Sequence, residues 1–219
     1  MPDFDLERVH WEAGRTCVAG IDEAGRGPWA GPVVAAAVVL DADELSVDLR
    51  QGLDDSKKLS AAKRDTLYDL LRDQARIGVG IAEVDEIDTR NILQATLAAM
   101  ARAVRKLNVI PDQALVDGTQ PPILPCPLDC IVKGDGRSLS IAAASVIAKV
   151  SRDRLMADLA RLHPGYGWER NAGYGTAEHR DALAHLGVTP EHRRSFAPIR
   201  KMLRDNPGDA QDIDSAETL

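Results

Sequence analysis

The sequence of 219 residues predicts an α/β fold built on a mixed sheet. Short β-branched runs alternate with longer segments in which apolar residues recur at helical spacing, an order typical of α/β domains. Acidic residues stand at, or just after, the ends of several predicted strands. In open α/β sheets, ligands bind beyond the carboxyl ends of the strands, where the strand order reverses. We therefore expect a site built on carboxylates at that edge of the sheet.

The predicted strands are short apolar runs bounded by turn residues. They lie at residues 17–21, 33–40, 77–81, 114–116 and 128–132. Ser60 is a good N-cap for a helix over 61–75. Apolar spacing predicts further helices, with a loop before the third of them. They cover residues 86–107, 138–162, 177–186 and, as a short basic helix or extension, 191–203, and the loop is at 165–175.

Composition describes a globular protein without a membrane segment or a disulfide framework. Apolar residues make up 44% of the chain and charged residues 28%, which is ordinary for such proteins. The three cysteines favour a reducing compartment. No apolar run reaches the roughly 18 residues of a membrane span, and the acidic N-terminus lacks a signal peptide's basic region. We therefore expect a cytoplasmic protein.

The net charge of −7 is concentrated at the carboxyl terminus. Residues 205–219 contain five acids and no base, so the rest of the chain has 29 acids and 27 bases. Bound cations can offset some of those acids, and the charge does not exclude a nucleic-acid partner. We expect a polar lead-in at 1–15, one domain at 16–204, and a disordered acidic tail at 205–219.

The most informative stretch runs from Ile21 to Pro32, and three interpretations of it compete. Acids and glycines are ordinary in a solvated turn. Gly25, Gly27 and Ala30 also match a dinucleotide-binding pattern. That pattern needs a helix next, whereas the β-branched run after Pro32 predicts a strand. The third interpretation is a metal-assisted site for chemistry on a phosphate.

Four carboxylates at three predicted strand ends favour the metal site. They are Asp22, Glu23, Asp117 and Asp135. Each alone is more often a solvated turn residue, but together they predict a shared site. Ligation by oxygen alone suits Mg²⁺ or Mn²⁺ rather than a soft metal. Two such ions, roughly 3.5–4 Å apart, can clamp the attacking and leaving oxygens of a displacement at phosphorus.

Six motifs follow one another along the chain. They are Ile21–Pro28, Asp55–Leu59, Val116–Gly118, Lys133–Asp135, Ala142–Ser145 and Gly173-Tyr174. In this order they resemble the bacterial ribonuclease HII family, over about residues 17–203. The resemblance implies a ribonuclease H-like fold, with a mixed five-stranded sheet flanked by helices and a C-terminal helical extension. It implies that the acids lie across the first, fourth and fifth strands.

The resemblance also implies an activity. The chain would hydrolyse the RNA strand of RNA–DNA hybrids and cleave at ribonucleotides embedded in duplex DNA, leaving 5′-phosphate and 3′-hydroxyl ends. It would act as a monomer in ribonucleotide excision repair and DNA replication. A catalytically silent hybrid-binding module of the same fold is the alternative, and the presence of all four acids argues against it.

Carried over by position, the resemblance implies a role for each motif residue. The four acids would bind Mg²⁺ or Mn²⁺. The Gly25-Arg26-Gly27 turn would sense the ribose 2′-OH through backbone atoms, because glycine allows close approach. Tyr174 would pack at the sugar of the RNA–DNA junction. Lys57 and Lys58 would contact backbone phosphates, although a solvated helix lead-in explains them equally well.

Overall fold

The computed structural model describes residues 1–205. The predicted acidic tail therefore lies outside the described residues, apart from Asp205. The strands in this range are β1 (Val18–Ala24), β2 (Val33–Leu40), β3 (Ala75–Ala82), β4 (Gln113–Asp117) and β5 (Leu128–Ile131). The helices are α1 (Asp5–Glu12), α2 (Val47–Gly52), α3 (Ala61–Gln74), α4 (Val84–Arg90), α5 (Ile92–Arg105), α6 (Leu139–Leu162), α7 (Trp168–Asn171), α8 (Ala177–Leu186) and α9 (Ala197–Asp205). None of the described helices is long and apolar enough to cross a bilayer.

The chain divides into two compact units. The sheet unit comprises Met1–Ala24, Val33–Ile81 and Thr96–Ser151. The turn unit comprises Gly25–Pro32, Ala82–Ala95 and the chain from Arg152 on. The core of the turn unit is built from α6, α7, α8 and α9 around the fully buried Trp168.

The five strands form one mixed sheet, as the family resemblance implied, and their order is β3-β2-β1-β4-β5. Strand β1 is antiparallel to β2 and parallel to β4, which is parallel to β5. The apolar run of β2 is almost entirely buried, as expected of a strand covered on both faces. Because β1, β4 and β5 run in the same direction, their carboxyl ends share one edge of the sheet.

Strand β1 is longer than the sequence predicted. The prediction ended it at Ile21, but it continues to Ala24 because Asp22 and Glu23 pair with Ala36 and Ala35 of β2. The two acids therefore lie within the last residues of the strand and not in the turn that follows. Regular pairing gives their side chains a fixed direction, which a turn would not.

Helix α6 lies unusually close to the centre of the sheet. A Cβ atom at Gly20 of β1 would be 2.1 Å from the carbonyl carbon of Ser140, so only glycine permits this approach. The following residues Ala142, Ala143 and Ala144 are fully buried. Small side chains on both elements thus bring the first turns of α6 against β1, the strand that carries Asp22 and Glu23.

Residues 1–15, expected as a polar lead-in, contain helix α1. Phe4 and Glu7 are buried, and the Phe4 ring lies 5.3 Å from that of Trp11. Glu7 Oε1 accepts hydrogen bonds from Ser138 Oγ (2.5 Å), Ser140 N (3.0 Å) and Ser140 Oγ (2.5 Å). A carboxylate at the start of α6 is stabilised by the unpaired N–H groups and the helix dipole. Helix α1 is thereby anchored to α6.

Glu7→Gln is expected to lower the free energy of unfolding by about 1–3 kcal/mol, because the amide oxygen accepts without a charge and the amide NH₂ replaces Oε2, a buried atom that has no hydrogen-bond partner. Urea denaturation of the wild-type and variant chains measures the difference. Glu12→Gln, at an exposed position of the same helix, is the matched control and should be neutral. Equal stability of all three chains would show that the Glu7 charge contributes nothing to folding.

The prediction of one helix over residues 86–107 was wrong. Helix α4 ends at Arg90 and α5 begins at Ile92, because Asn91 adopts a φ of 69°. With a ψ of 161°, this residue lies outside the helical regions of both hands and interrupts the helix. Its side-chain oxygen then accepts a hydrogen bond from Gln94 N and caps α5.

Other differences are smaller. The short helices α2 and α7 were not predicted, and α7 lies within the segment expected to be a loop. The last described helix, α9, begins at Ala197, whereas the sequence suggested a start at residue 191. These segments are short, and local periodicity over one or two turns is a weak signal.

Candidate active site

The four candidate metal ligands all belong to the sheet unit. Asp22 and Glu23 lie on β1, and Asp117 is the last residue of β4. Asp135 lies in a 3₁₀ turn, Gly134–Gly136, that follows β5. Ile21 pairs with Val116, so Asp22 and Asp117 follow paired residues on neighbouring parallel strands. The predicted common edge therefore carries these carboxylates.

Burial and like charge act together on two of the acids. Burial raises the pKa of Asp22 well above its usual range, and the charges of Glu23 and Asp117 raise it further. Burial also raises the pKa of Asp135, as do the charges of Asp55 and Asp117. Asp22 is only 4% exposed. Such a group of carboxylates is stabilised by a bound cation.

Backbone hydrogen bonds orient the carboxylates. Asp22 Oδ1 accepts from Glu23 N at 2.7 Å. Asp117 Oδ1 accepts from Gly134 N at 2.7 Å, which connects the end of β4 to the turn that carries Asp135. A Cβ atom at Gly134 would lie 2.6 Å from Ile141 Cδ1, so the turn passes close to the first turn of α6.

Two serines that the sequence analysis left without a role support Asp22. A hydrogen bond with the Ser145 side chain lowers the pKa of Asp22 and partly opposes the effect of burial. Ser145 Oγ is 2.8 Å from Ser56 Oγ, and both residues are buried. Ser145 ends the small-residue motif of α6, and Ser56 directly precedes Lys57. The serine pair thus connects β1, α6 and the loop of the predicted phosphate contacts.

The two candidate lysines differ in their surroundings. Burial lowers the pKa of Lys57, but the charges of Asp22, Asp55, Asp135 and Asp117 outweigh it, and the pKa is raised. Lys57 is therefore within electrostatic reach of the acids. Lys58 Nζ instead forms a 3.0 Å ion pair with Asp54. The Asp135 charge also raises the pKa of Lys58, but less than Asp54 does, whereas the pKa of Lys57 is raised by three of the four candidate ligands.

The residues are compatible with a hard divalent cation. Every candidate ligand is a carboxylate oxygen, and the local charge is negative even with Lys57 nearby. Within residues 1–205, no three His, Cys, Asp or Glu side chains converge closely enough to enclose a metal ion by themselves. Mg²⁺ is usually held by one or two carboxylates and completes its shell with water and substrate phosphates. An open set of carboxylates suits that behaviour.

The Gly25–Gly27 turn, in the turn unit, is organised by Arg193. This arginine is fully buried, and its guanidinium donates hydrogen bonds of 2.6–3.2 Å to five backbone carbonyls. The acceptors are Gly25, Arg26, Pro28, Gly31 and Pro32. Burial, followed by the charge of Arg152, lowers the pKa of Arg193 to about 9. No motif in the sequence identifies Arg193.

This arrangement decides which backbone groups of the turn face outwards. In a trans peptide unit, the C=O of one residue and the N–H of the next point in opposite directions. The Gly25 and Arg26 carbonyls point to Arg193, so the N–H groups of Arg26 and Gly27 point away from it. The turn therefore presents amide donors on its outer side.

Gly25 is required by both conformation and space. Its φ of 97° lies in the region that favours glycine, and a Cβ atom would be 1.9 Å from Arg152 Nε. Arg152 is also buried, and it donates to the carbonyls of Pro32, Ala172 and Ala30. Two buried arginines thus fix the backbone of the turn from the inside.

Tyr174 lies beside the same turn. A Cβ atom placed on Gly27 would be 3.4 Å from Tyr174 Cε1, so the ring is in contact distance of the glycine. The tyrosine is 48% exposed. Trp29 N donates to Gly173 O at 2.8 Å and joins the two segments. The predicted substrate-contacting residues Gly25, Arg26, Gly27 and Tyr174 therefore form one surface of the turn unit.

Comparisons with known proteins identify the family. The family model described as Ribonuclease HII matches residues 19–199. Ribonuclease HII of Rhodospirillum rubrum is 62% identical over 205 residues, covering 93% of this chain and 92% of the relative.

Solved structures show the same fold. Ribonuclease H2 of Pyrococcus horikoshii OT3 has a TM-score of 0.73 at 27% identity, covering 87% of this chain and 98% of that one. Bst-RNase HIII in complex with Mn²⁺ has a TM-score of 0.71 over 86% of this chain and 70% of its own; at 19% identity it supports the fold alone. The match to the family model and the identity to its members establish that this chain belongs to the ribonuclease HII family and is an endonuclease of the ribonuclease H type.

Proposed function

We propose that the chain hydrolyses RNA–DNA hybrids and also cleaves at single ribonucleotides embedded in duplex DNA, with two divalent ions bound by Asp22, Glu23, Asp117 and Asp135. The observation that carries the proposal is the burial of Asp22 beside Glu23 and Asp117. Burial and these neighbouring charges raise the pKa of Asp22, and a bound cation would favour its charged form.

Bound Mg²⁺ or Mn²⁺ would supply activation of a water molecule and stabilisation of the departing 3′ oxygen. The chain's own residues orient the ligands and the substrate. Ser145 and Glu23 N orient Asp22, and Gly134 N orients Asp117. Lys57, within electrostatic reach of the acids, can contact a substrate phosphate.

Recognition of the ribonucleotide is assigned to the turn unit. The outward N–H group of Gly27 can donate to the 2′-OH or to an adjacent phosphate. The Tyr174 ring, beside Gly27, can pack on the neighbouring sugar. Because Arg193 already binds the turn's carbonyls, amide donors are favoured over carbonyl acceptors as the sensor of the hydroxyl.

The test is single-turnover cleavage of three end-labelled duplexes: one entirely of DNA, one with a single ribonucleotide, and one continuous RNA–DNA hybrid. With Mg²⁺ or Mn²⁺, the second and third should be cut and the first left intact, and EDTA should stop all cleavage. Tight binding of the hybrid without cleavage would instead identify a silent binding module. Cleavage of the hybrid alone would contradict the proposed activity on embedded ribonucleotides.

Tyr174→Ala is expected to lose more activity on the single-ribonucleotide duplex than on the continuous hybrid, with Tyr174→Phe in between. The alanine variant removes both the ring and the phenol, and the phenylalanine variant only the phenol. A hydrogen bond to a charged group is worth roughly 1.5–3 kcal/mol, or about ten- to a hundredfold in rate. Single-turnover rates on both substrates give, for each variant, the ratio of single-ribonucleotide to hybrid cleavage. Equal losses on the two substrates would mean that Tyr174 serves general binding or folding.

A further inference from the structure

The turn unit contains a pair of histidines that the chemistry at the carboxylates does not use. His179 lies in the first turn of α8, and His192 lies in the segment before α9. Both residues are fully buried, and their Nε2 atoms are 3.0 Å apart. Two nitrogens at this distance share one hydrogen, so the direction of the hydrogen bond has to be established from the other partners of each ring.

The partners of His179 establish its tautomer. Trp168 Nε1, which can only donate, is 3.1 Å from His179 Nε2. His179 Nε2 is therefore an acceptor, and the ring carries its hydrogen on Nδ1. His179 Nδ1 lies 3.0 Å from the carbonyl oxygen of Tyr174, to which it donates.

The partners of His192 establish the opposite tautomer. The backbone N–H of Thr189 donates to His192 Nδ1 at 3.0 Å, so this nitrogen carries no hydrogen. His192 then carries its hydrogen on Nε2 and donates to His179 Nε2. Independent contacts on the two rings thus agree on one direction of hydrogen-bond donation. It runs from Thr189 N–H to His192, from His192 to His179, and from His179 to the Tyr174 carbonyl.

We propose that His179 and His192 are positioning residues that set the main chain of Tyr174 for discrimination between the single-ribonucleotide junction and the continuous hybrid. The inference rests on the proposed function, in which Tyr174 contacts the junction sugar. The Tyr174 carbonyl accepts from His179 Nδ1 and also from Thr176 N at 2.8 Å. Its exposed ring then projects from a main chain that is fixed to the start of α8.

The surroundings keep both rings neutral. Burial lowers the pKa of His179, while the Tyr174 contact and the Glu178 charge oppose it. Burial and the charge of His179 lower the pKa of His192 to about 3, and His163 acts in the same direction. The Tyr166 ring packs edge-on against both histidines. A hydrogen on His179 Nε2 would face the N–H donors of Trp168 and His192. The ring therefore keeps its hydrogen on Nδ1, where it is donated to the Tyr174 carbonyl.

The test compares His179→Asn with His179→Gln. The asparagine amide can occupy the position of Nδ1 and preserve the donor to Tyr174. The glutamine amide reaches the position of Nε2, near Trp168 and His192, and leaves the Tyr174 carbonyl without that donor. We expect His179→Asn to keep the wild-type ratio of junction to hybrid cleavage within about threefold, and His179→Gln to lower the ratio about tenfold, the equivalent of one hydrogen bond.

A readout independent of activity uses ¹⁵N-labelled wild-type protein. Histidine side-chain spectra at pH 7 should show His179 as the Nδ1–H tautomer and His192 as the Nε2–H tautomer, and His192 should remain neutral at pH 5. The opposite tautomers, or a charged His192 ring at pH 5, would overturn the inference even if both His179 variants fail to fold.

The cleavage results separate the two proposals. If the wild-type chain leaves the junction duplex uncut, the proposed function fails, and this inference fails with it. If the wild-type chain cuts it while folded His179→Asn and His179→Gln keep the same ratio, only the positioning role is wrong. A ratio lowered in the glutamine variant alone supports the positioning role.

Discussion

Asp22→Asn and Asp117→Asn should each reduce single-turnover cleavage of a hybrid by at least about a thousandfold, which corresponds to about 4 kcal/mol of transition-state stabilisation. Each substitution removes a negative charge from the carboxylate edge while the shape of the side chain is kept. The Asp22 carboxylate also forms a hydrogen bond with the Ser145 side chain, and an amide at this position would alter that contact. Rates measured over a range of Mg²⁺ and Mn²⁺ concentrations give the effect.

The same variants should fold at least as well as the wild-type chain without metal. Burial and neighbouring charges raise the pKa of Asp22, so replacing its charge with a neutral amide relieves repulsion. Asp54→Asn is the matched control, because this acid of the same unit pairs with Lys58 and should be dispensable for cleavage. Substantial metal-dependent turnover by a folded Asp22→Asn chain would contradict the assignment of Asp22.

Arg193→Lys is expected to lower the free energy of unfolding by at least about 3 kcal/mol, because several buried carbonyls lose their donor and each costs about 1–3 kcal/mol. Lysine keeps the charge but has only three donors on a flexible stem, so it cannot serve five carbonyls arranged around a planar group. Cleavage of both the hybrid and the single-ribonucleotide duplex should fall, since the outward amides of the turn lose their orientation. Urea denaturation and single-turnover rates measure the two effects.

Arg200→Lys is the matched control for this experiment. Arg200 is exposed and makes a 3.3 Å hydrogen bond to Ser195 O, so its replacement should change neither stability nor rate noticeably. If Arg193→Lys behaves like Arg200→Lys, the buried guanidinium does not organise the turn.

The sheet and the sites of the acids could be predicted because the necessary information is local. A β-branched run such as Val33–Leu40 identifies a buried strand by itself, and Asp117 directly ends another. Parallel strands then bring their carboxyl ends to one edge. The role of these acids as metal ligands stays a prediction, but their placement follows from pattern alone.

The supporting residues could not be predicted, because their partners are distant in sequence. Arg193 bonds carbonyls more than 160 residues away, and Glu7 bonds Ser138 across 131 residues. Local periodicity contains no information about such contacts, and a buried charged residue looks like a surface residue in the sequence. His179 and His192 are hidden for the same reason.

The central claim is that metal-bound carboxylates direct water against the phosphate at an embedded ribonucleotide. The most direct measurement is end-group analysis of the products from a duplex with one ribonucleotide, cut under single-turnover conditions with Mn²⁺. Attack by water predicts a 3′-hydroxyl on one fragment and a 5′-phosphate on the other, and complete loss of cleavage in EDTA. A 2′,3′-cyclic phosphate would mean that the ribose hydroxyl is the nucleophile and, like cleavage that persists in EDTA, would contradict the account.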